Sequence, residues 1–276
     1  MSNWEPGPLR RLQLELVNVC NYRCPLCKTL EKDGVVRTRM SLAEVERVIA
    51  PVADTLQEVT LFGTRGEPFL HPELEAIVAL IRETGARTEI STNGSLVDAE
   101  RAAKILDSGL ERLVFAVDGL SEETYSRYRR GGTLETVLAN LSHLCELRDC
   151  GSYPTQVVFQ LIPMAHNEHE LHRVAEVAYG LGVDEVRLKV SSSVDRSASF
   201  RPLDDAYRTL PALEAASGRF TCPFGLDKLY VDPNGDCFPC CYGEGHEEQR
   251  LGNALETSLL DIWRSSASAR YRAPFV

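Results

Sequence analysis

The chain of 276 residues has no apolar run long enough to cross a bilayer as a helix, which removes the membrane-spanning class. Its first residues carry Trp4, Glu5, Pro6 and Pro8 where an export signal would carry an apolar core, so the expected location is the cytoplasm. Basic charge is also scarce: 30 Lys and Arg stand against 40 Asp and Glu, a formal net charge of −10. A nucleic-acid groove usually shows as a basic stripe, so no nucleic-acid partner is expected, and a cationic small molecule is favoured as substrate. No repeat of solenoid length and no low-complexity tract interrupts the sequence. The 43% hydrophobic and 25% charged residues describe an ordinary globular chain able to bury a sizeable core.

Cysteine, by contrast, is plentiful and unevenly placed. Nine cysteines in a reducing compartment point to metal binding or catalysis before disulfides, and an odd number cannot close a disulfide framework.

Short runs rich in Val, Leu and Ile alternate with segments of helical period, the pattern of βα units around a parallel sheet. Strands are predicted near Leu12 to Leu16, Glu58 to Phe62, Arg87 to Ser91, Arg112 to Val117, Thr155 to Leu161 and Glu185 to Val190. Helices are predicted over Glu73 to Glu83, Asp98 to Ser108, Leu134 to Leu147 and Glu168 to Tyr179. Another should open at Ser41, where Glu44 three residues on completes a capping box. Gly85, Gly109 and Gly182 read as helix stops. The rhythm breaks after Ser191, and a turn-rich, cysteine-rich segment ending in a helix near Leu259 to Trp263 follows. The expected fold is therefore α/β: a partial (β/α)6 barrel over residues 1–200 and a small cysteine-rich hairpin-plus-helix extension over 201–276.

Cys20, Cys24 and Cys27 directly follow the first predicted strand, at the strand end where parallel βα folds place their sites. Three thiolates so close can hold three irons of a cubane cluster and leave the fourth open to a ligand. A zinc site is the alternative, although structural zinc normally takes four ligands in paired spacing. After the second strand comes Gly66-Glu67-Pro68, where a glycine permits close approach and a carboxylate would meet an ammonium. After the third comes Ser91-Thr92-Asn93-Gly94, where Asn93 can both donate to and accept from hydroxyls. Both are also ordinary turn compositions.

This arrangement resembles the radical S-adenosylmethionine (SAM) superfamily. The resemblance implies that Cys20, Cys24 and Cys27 bind a [4Fe–4S] cluster. It further implies that Gly66, Glu67, Pro68, Ser91 and Asn93 contact SAM, and that reductive cleavage of SAM gives a 5′-deoxyadenosyl radical. It also implies an electron donor such as flavodoxin or ferredoxin. Leu26 stands where the family usually has an aromatic residue. Asp118-Gly119 resembles a pair frequent in the branch with auxiliary clusters.

Cys222, Cys237, Cys240 and Cys241 form a second group, brought together by a hairpin turning at Asp232-Pro233-Asn234-Gly235. By residue type alone zinc and iron–sulfur stand about level. With Leu251-Gly252-Asn253 and the helix at Ile262-Trp263, the segment resembles SPASM and Twitch extensions, which implies a second, auxiliary [4Fe–4S] cluster. Cys222, Cys237 and Cys240 are the expected ligands, and Cys241 is either a fourth ligand or a hydrogen donor. Cys145 and Cys150 are expected to be plain thiols. His71 should lie in a loop near the cofactor, and Tyr125, Tyr128, Arg129 and Arg130 read as a solvated helix end. The implied activity is hydrogen-atom abstraction from a small polar substrate of sugar, aminocyclitol or nucleotide type, ending in oxidation or epimerisation. Peptide modification is the alternative within the family, and a non-catalytic zinc protein the alternative outside it.

Overall fold

The computed structural model describes residues 6–28, 38–62, 64–208, 226–244 and 246–273. Two compact units divide the chain, and neither is a continuous segment: one takes Met1–Cys20, Asp33–Ile90 and Phe220–Val276, the other Asn21–Lys32 and Ser91–Arg219.

In the first unit, β1 (Arg11–Leu14) lies between two parallel neighbours, β2 (Glu58–Leu61) and β7 (Lys228–Val231). On its far side β2 pairs in parallel with β3 (Arg87–Thr92), Glu58 opposite Arg87. The helices α1 (Leu42–Ile49) and α2 (Leu74–Glu83) follow β1 and β2. The capping box at Ser41 and Glu44 forms, and α1 buries Val45, Val48 and Ile49. Past β7 the chain turns at Asp232–Gly235 into antiparallel β8 (Asp236–Phe238), which β9 (Gly252–Asn253) joins, also antiparallel. Asp232 makes this turn, its carboxylate accepting from the N–H groups of Asn234 and Asp236 at 2.9 Å each.

The second unit carries β4 (Arg112–Ala116), β5 (Gln156–Leu161) and β6 (Glu185–Leu188), all parallel, with α3 (Ala99–Asp107), α4 (Glu122–Tyr128), α5 (Leu134–Gly151), α6 (Val174–Gly180) and the single turn α7 (Ser192–Asp195). Leu113, Val114, Phe115, Val157, Val158 and Phe159 have no exposed surface, as expected of a parallel sheet covered on both faces. The chain closes in α8 (Leu259–Arg264) and α9 (Ser266–Arg272), which belong to the first unit.

These elements confirm the α/β class: six strand–helix units of a partial (β/α)6 barrel with a hairpin-plus-helix extension. Gly85, Gly109 and Gly182 stop their helices in left-handed geometry, at φ of 80°, 82° and 89°. Three details differ from the sequence reading. The segment predicted as one helix over Glu168 to Tyr179 begins as a 3-10 turn, Glu168–Arg173, and only then becomes α6. The helix α5 runs on to Gly151 and ends at left-handed Ser152. The helix α4, opened by Ser121 bonding to Thr124, is expected from sequence only as a helix end at Tyr125 to Arg130. Among the described residues, no helix is long and apolar enough to cross a membrane.

Candidate functional site

The cysteine-bearing loop leaves β1 with its cysteines outside any disulfide: Cys24 is buried, Cys20 and Cys27 half-buried. A turn closes on Cys24, whose carbonyl accepts from Cys27 N–H at 3.1 Å. Within the second unit the loop rests on the segment that ends α4. Arg23 N–H donates to Arg130 O at 2.8 Å, and the hydroxyls of Tyr22 and Tyr125 meet at 2.9 Å. Gly132 is required here, because a Cβ on it would lie 1.8 Å from the Tyr22 hydroxyl. Burial, reinforced by the Tyr22 hydroxyl, pushes the Tyr125 phenol well above its usual range, so Tyr125 stays neutral.

Asp118, fully buried at a left-handed φ of 60°, holds Arg129 near Cys24. One carboxylate oxygen accepts from Ile162 N–H at 2.6 Å and the other from Arg129 Nε at 2.8 Å. The second guanidinium nitrogen of Arg129 lies 2.6 Å from the same oxygen. Burial works against the Arg129 charge, but Asp118 and the Cys24 thiolate outweigh it and raise its pKa. Burial pushes the Cys24 thiol up, and the charges of Cys27 and Asp118 act the same way, whereas hydrogen-bonded Arg129 draws it down. A cation is thus held against a cysteine that chemistry would need as a thiolate. Of the four residues read from sequence as a solvated helix end, Tyr125 and Tyr128 are buried and supply apolar bodies, Arg129 is half-buried and paired with Asp118, and Arg130 is exposed.

Ser91, half-buried, is the second-last residue of β3, and Asn93, just past the strand, is buried. Asn93 Nδ2 donates to Asn21 Oδ1 at 2.9 Å, its Oδ1 accepts from Ser95 Oγ at 2.6 Å, and Asn21 Nδ2 donates to Ser95 Oγ at 2.9 Å. This triangle ties the loop after β3 to the residue following Cys20. Its signal in the sequence is the pairing of Asn21 with Asn93, which residue-by-residue reading does not reveal.

In the first unit the loop after β2 carries Gly66-Glu67-Pro68. A Cβ at Gly66 would lie 1.7 Å from the Val17 carbonyl oxygen, so the close approach this glycine permits is to its own chain. Glu67 N–H donates to Val19 O at 2.9 Å, and the buried Glu67 carboxylate accepts from Phe69 N–H at 3.1 Å, capping a 3-10 turn begun by Pro68. His71 is fully buried, bonding Met40 O at 2.8 Å and accepting from Glu73 N–H at 3.1 Å, which makes it a strut of α2's entrance.

Glu15, one residue past β1, is an acid in an apolar run that the sequence reading passed over. A single oxygen of its buried carboxylate accepts from both Arg65 N–H and Gly66 N–H at 2.8 Å; the other accepts from the Tyr230 hydroxyl. Burial first, and Glu244 second, raise its pKa from 4.5 to about 7. An acid with a raised folded pKa holds its proton more tightly when folded, so its contribution to stability declines as pH rises from 4.5 to about 7 and is level above that. The decline amounts to ~3 kcal/mol. Glu15→Gln should flatten that part of the stability–pH curve, read as urea midpoints at pH 5 and pH 8. A curve unchanged from the wild type would show that Glu15 ionises normally.

In the extension, Cys222 lies outside the described residues. Cys237 is fully buried, its thiol donating to Gly235 O at 3.5 Å, and burial raises its pKa to about 12. Cys240 and Cys241 are half-buried on the turn after β8. Burial lowers the pKa of nearby Lys228, and the Cys241 charge is the largest influence opposing it. Cys145 is buried and Cys150 exposed. Among the described residues, no three His, Cys, Asp or Glu side chains converge on one point as placed.

The family model for the radical SAM superfamily matches residues 14–178, and that for SPASM, an iron-sulfur cluster-binding domain, matches residues 222–275. The tungsten-containing aldehyde ferredoxin oxidoreductase cofactor-modifying protein of Pyrococcus furiosus is 25% identical, with 96% of this chain and 83% of that protein aligned. A probable GTP 3′,8-cyclase of Metallosphaera sedula is 29% identical over 66% of this chain, which spans about half of that protein, 55%. Crystal structures of SuiB from Streptococcus suis, bound to S-adenosylmethionine and to its precursor peptide SuiA, superpose with TM-scores of 0.77 at 17% identity. They cover 96% of this chain and 68% and 67% of theirs, and they share its fold.

Proposed function

The chain belongs to the radical SAM superfamily, and from that premise we propose that it abstracts a hydrogen atom from a small polar molecule of sugar, aminocyclitol or nucleotide type, giving dehydrogenation or epimerisation. Membership brings SAM and a [4Fe–4S] cluster, and the SPASM match brings auxiliary iron–sulfur, which sets the zinc reading aside. When bound, the radical-site cluster supplies the electron that cleaves SAM to a 5′-deoxyadenosyl radical.

Cys20, Cys24 and Cys27 are assigned to that cluster, and the donor set fits: three thiols on one loop, with Arg129 stabilising negative charge at Cys24. Gly66, Glu67, Pro68, Ser91 and Asn93 are assigned to SAM. The chain's own task is to hold the target carbon still and exclude competing hydrogen donors. Cys222 and Cys240 are assigned to the auxiliary cluster. Cys237, buried on β8, is assigned as the third ligand, and half-buried Cys241, near Lys228, is either a fourth ligand or a hydrogen donor. Cys237→Ser should then lose about four of the roughly eight irons, and loss of the same iron in Cys241→Ser would make Cys241 the fourth ligand. If Cys241→Ser keeps its iron but loses an isomerising turnover, Cys241 is a hydrogen donor instead. The barrel and extension are divided near residue 200, between the two matched segments, and the cytoplasm is proposed because its reducing poise preserves clustered thiols.

The small-molecule reading is carried by the cofactor-modifying relative, aligned over nearly all of this chain. Peptide modification draws comparable support from SuiB, whose fold holds a precursor peptide. The deciding experiment gives reconstituted protein SAM and flavodoxin or ferredoxin as reductant, then offers small polar molecules and peptides separately. A small-molecule product two hydrogens lighter, or an isomer carrying solvent deuterium, supports the first reading. Turnover with peptides alone transfers the assignment to the second.

A further inference from the structure

The extension is usually thought of through what its cysteines hold, but in this chain its buried polar contacts lead elsewhere. Glu244 follows Cys240 by four residues, past the turn at Cys241–Gly243, and is 8% exposed. Its Oε1 accepts from Arg65 Nε at 2.7 Å, and both side chains of this ion pair are at most 10% exposed. Its other oxygen accepts from the Thr64 hydroxyl. The Thr64 hydroxyl is also 3.4 Å from Glu15, whose opposite oxygen gathers the N–H groups of Arg65 and Gly66. Tyr230, fully buried on β7, donates to Glu15 from the extension side. The turn at Thr64–Gly66 is thereby gripped from both sides: backbone by Glu15, side chains by Glu244.

We infer that Glu244 is a positioning residue for SAM: through Arg65 and Thr64 it fixes the turn that presents Gly66-Glu67-Pro68, so the extension completes the cofactor site as well as carrying its own cysteines. Two geometric facts make the turn sensitive to this grip. Gly66 sits against Val17 with no room to shift inward, and Glu67 N–H is committed to Val19 O. An Arg65 side chain released from a buried carboxylate cannot stay where it is, because a buried charge without its partner is strongly unfavourable. Its departure would pull on the peptide whose N–H groups Glu15 holds. A grip so placed acts on binding geometry, leaving the iron ligands untouched.

The inference rests on the assignment of Gly66, Glu67 and Pro68 to SAM, and the test separates the two. Reconstituted holoenzyme, Glu244→Gln and Glu244→Ala are compared by iron content, by SAM dissociation constant and by hydrogen exchange at the amides of Arg65 and Gly66. Glu244→Ala should keep about eight irons, weaken SAM binding by about tenfold or more, and speed exchange at both amides. Glu244→Gln, which keeps one oxygen to accept from Arg65, turns an NH2 toward Thr64 and carries no charge, should fall between it and the wild type. That graded rescue is not expected of a variant that has merely unfolded. Unchanged SAM affinity with iron intact and exchange unaltered overturns the inference, as does weakened affinity that appears only together with loss of iron. Faster exchange at the two amides with unaltered SAM affinity would locate the fault in the assignment of the motif to SAM, since the grip itself would have been demonstrated.

Discussion

Alanine at Cys20, Cys24 and Cys27 together is expected to cut the iron bound after anaerobic reconstitution from about eight to about four per chain and to abolish SAM cleavage. The three thiols sit on one loop, and each would carry one iron, so removing all of them leaves that cluster no protein ligand. The remaining iron should be indifferent, because the auxiliary cysteines lie on the segment from residue 222 to 241, matched separately as an iron-sulfur cluster-binding domain. Cys145→Ala and Cys150→Ala provide the control: one thiol is buried away from any cluster of cysteines in the sequence, the other exposed, and neither variant should change the iron count. SAM cleavage surviving in the triple variant would refute the assignment of the first site.

The second large effect concerns Asp118. Asp118→Asn keeps the shape of the side chain and an oxygen for Ile162 N–H, but it leaves the Arg129 guanidinium, only 14% exposed, without its carboxylate. Removing one partner of a buried pair typically costs about 3 to 5 kcal/mol. For a chain of this size that is a fall in thermal midpoint of roughly 10 °C, measurable by circular dichroism. Glu100→Gln is the comparison. The Glu100–Lys104 pair is a helical i,i+4 contact with both side chains more than half exposed, and such pairs contribute about 0.3 to 0.5 kcal/mol. Equal midpoints for the two variants would mean that Asp118 and Arg129 do not form a buried pair.

Much of the framework was legible because its causes are local. Covered parallel strands must be apolar along their length, so Leu113 to Phe115 and Val157 to Phe159 announce themselves. Ser41 with Glu44, and Asp232 through Gly235, are capping and turn chemistry confined to a few residues. The cysteine loop was legible for the same reason, its spacing being written on eight consecutive residues. What escaped depends on partners distant in sequence. Arg129 looks like a solvated cation until Asp118, eleven residues away, is brought to it. Glu15 looks like one more strand-end acid until Arg65, Gly66 and Tyr230 donate to it. Gly66 was read as making room for a ligand, whereas the room it makes is taken by Val17. The length of α4 was missed because its burying residues, Thr124, Tyr125 and Tyr128, include none of the aliphatic residues that mark a helical stripe.

The position of β7 has a consequence for any attempt to trim or exchange parts of this protein. With β2 on one side and β7 on the other, β1 is an interior strand, its pairing with β7 running from Arg11 opposite Lys228 to Leu14 opposite Val231. A version ending at residue 200 would turn β1 into an edge, exposing a row of backbone donors and acceptors beside the apolar Leu12 and Leu14. Bare edges of that kind invite pairing between molecules, so the shortened chain should form insoluble assemblies before any loss of chemistry can be measured. Nor could the segment be traded between relatives as a cassette, since each donor strand would have to match the register of a foreign β1. Replacement of the segment beyond residue 200 is in effect replacement of the barrel's own neighbouring strand.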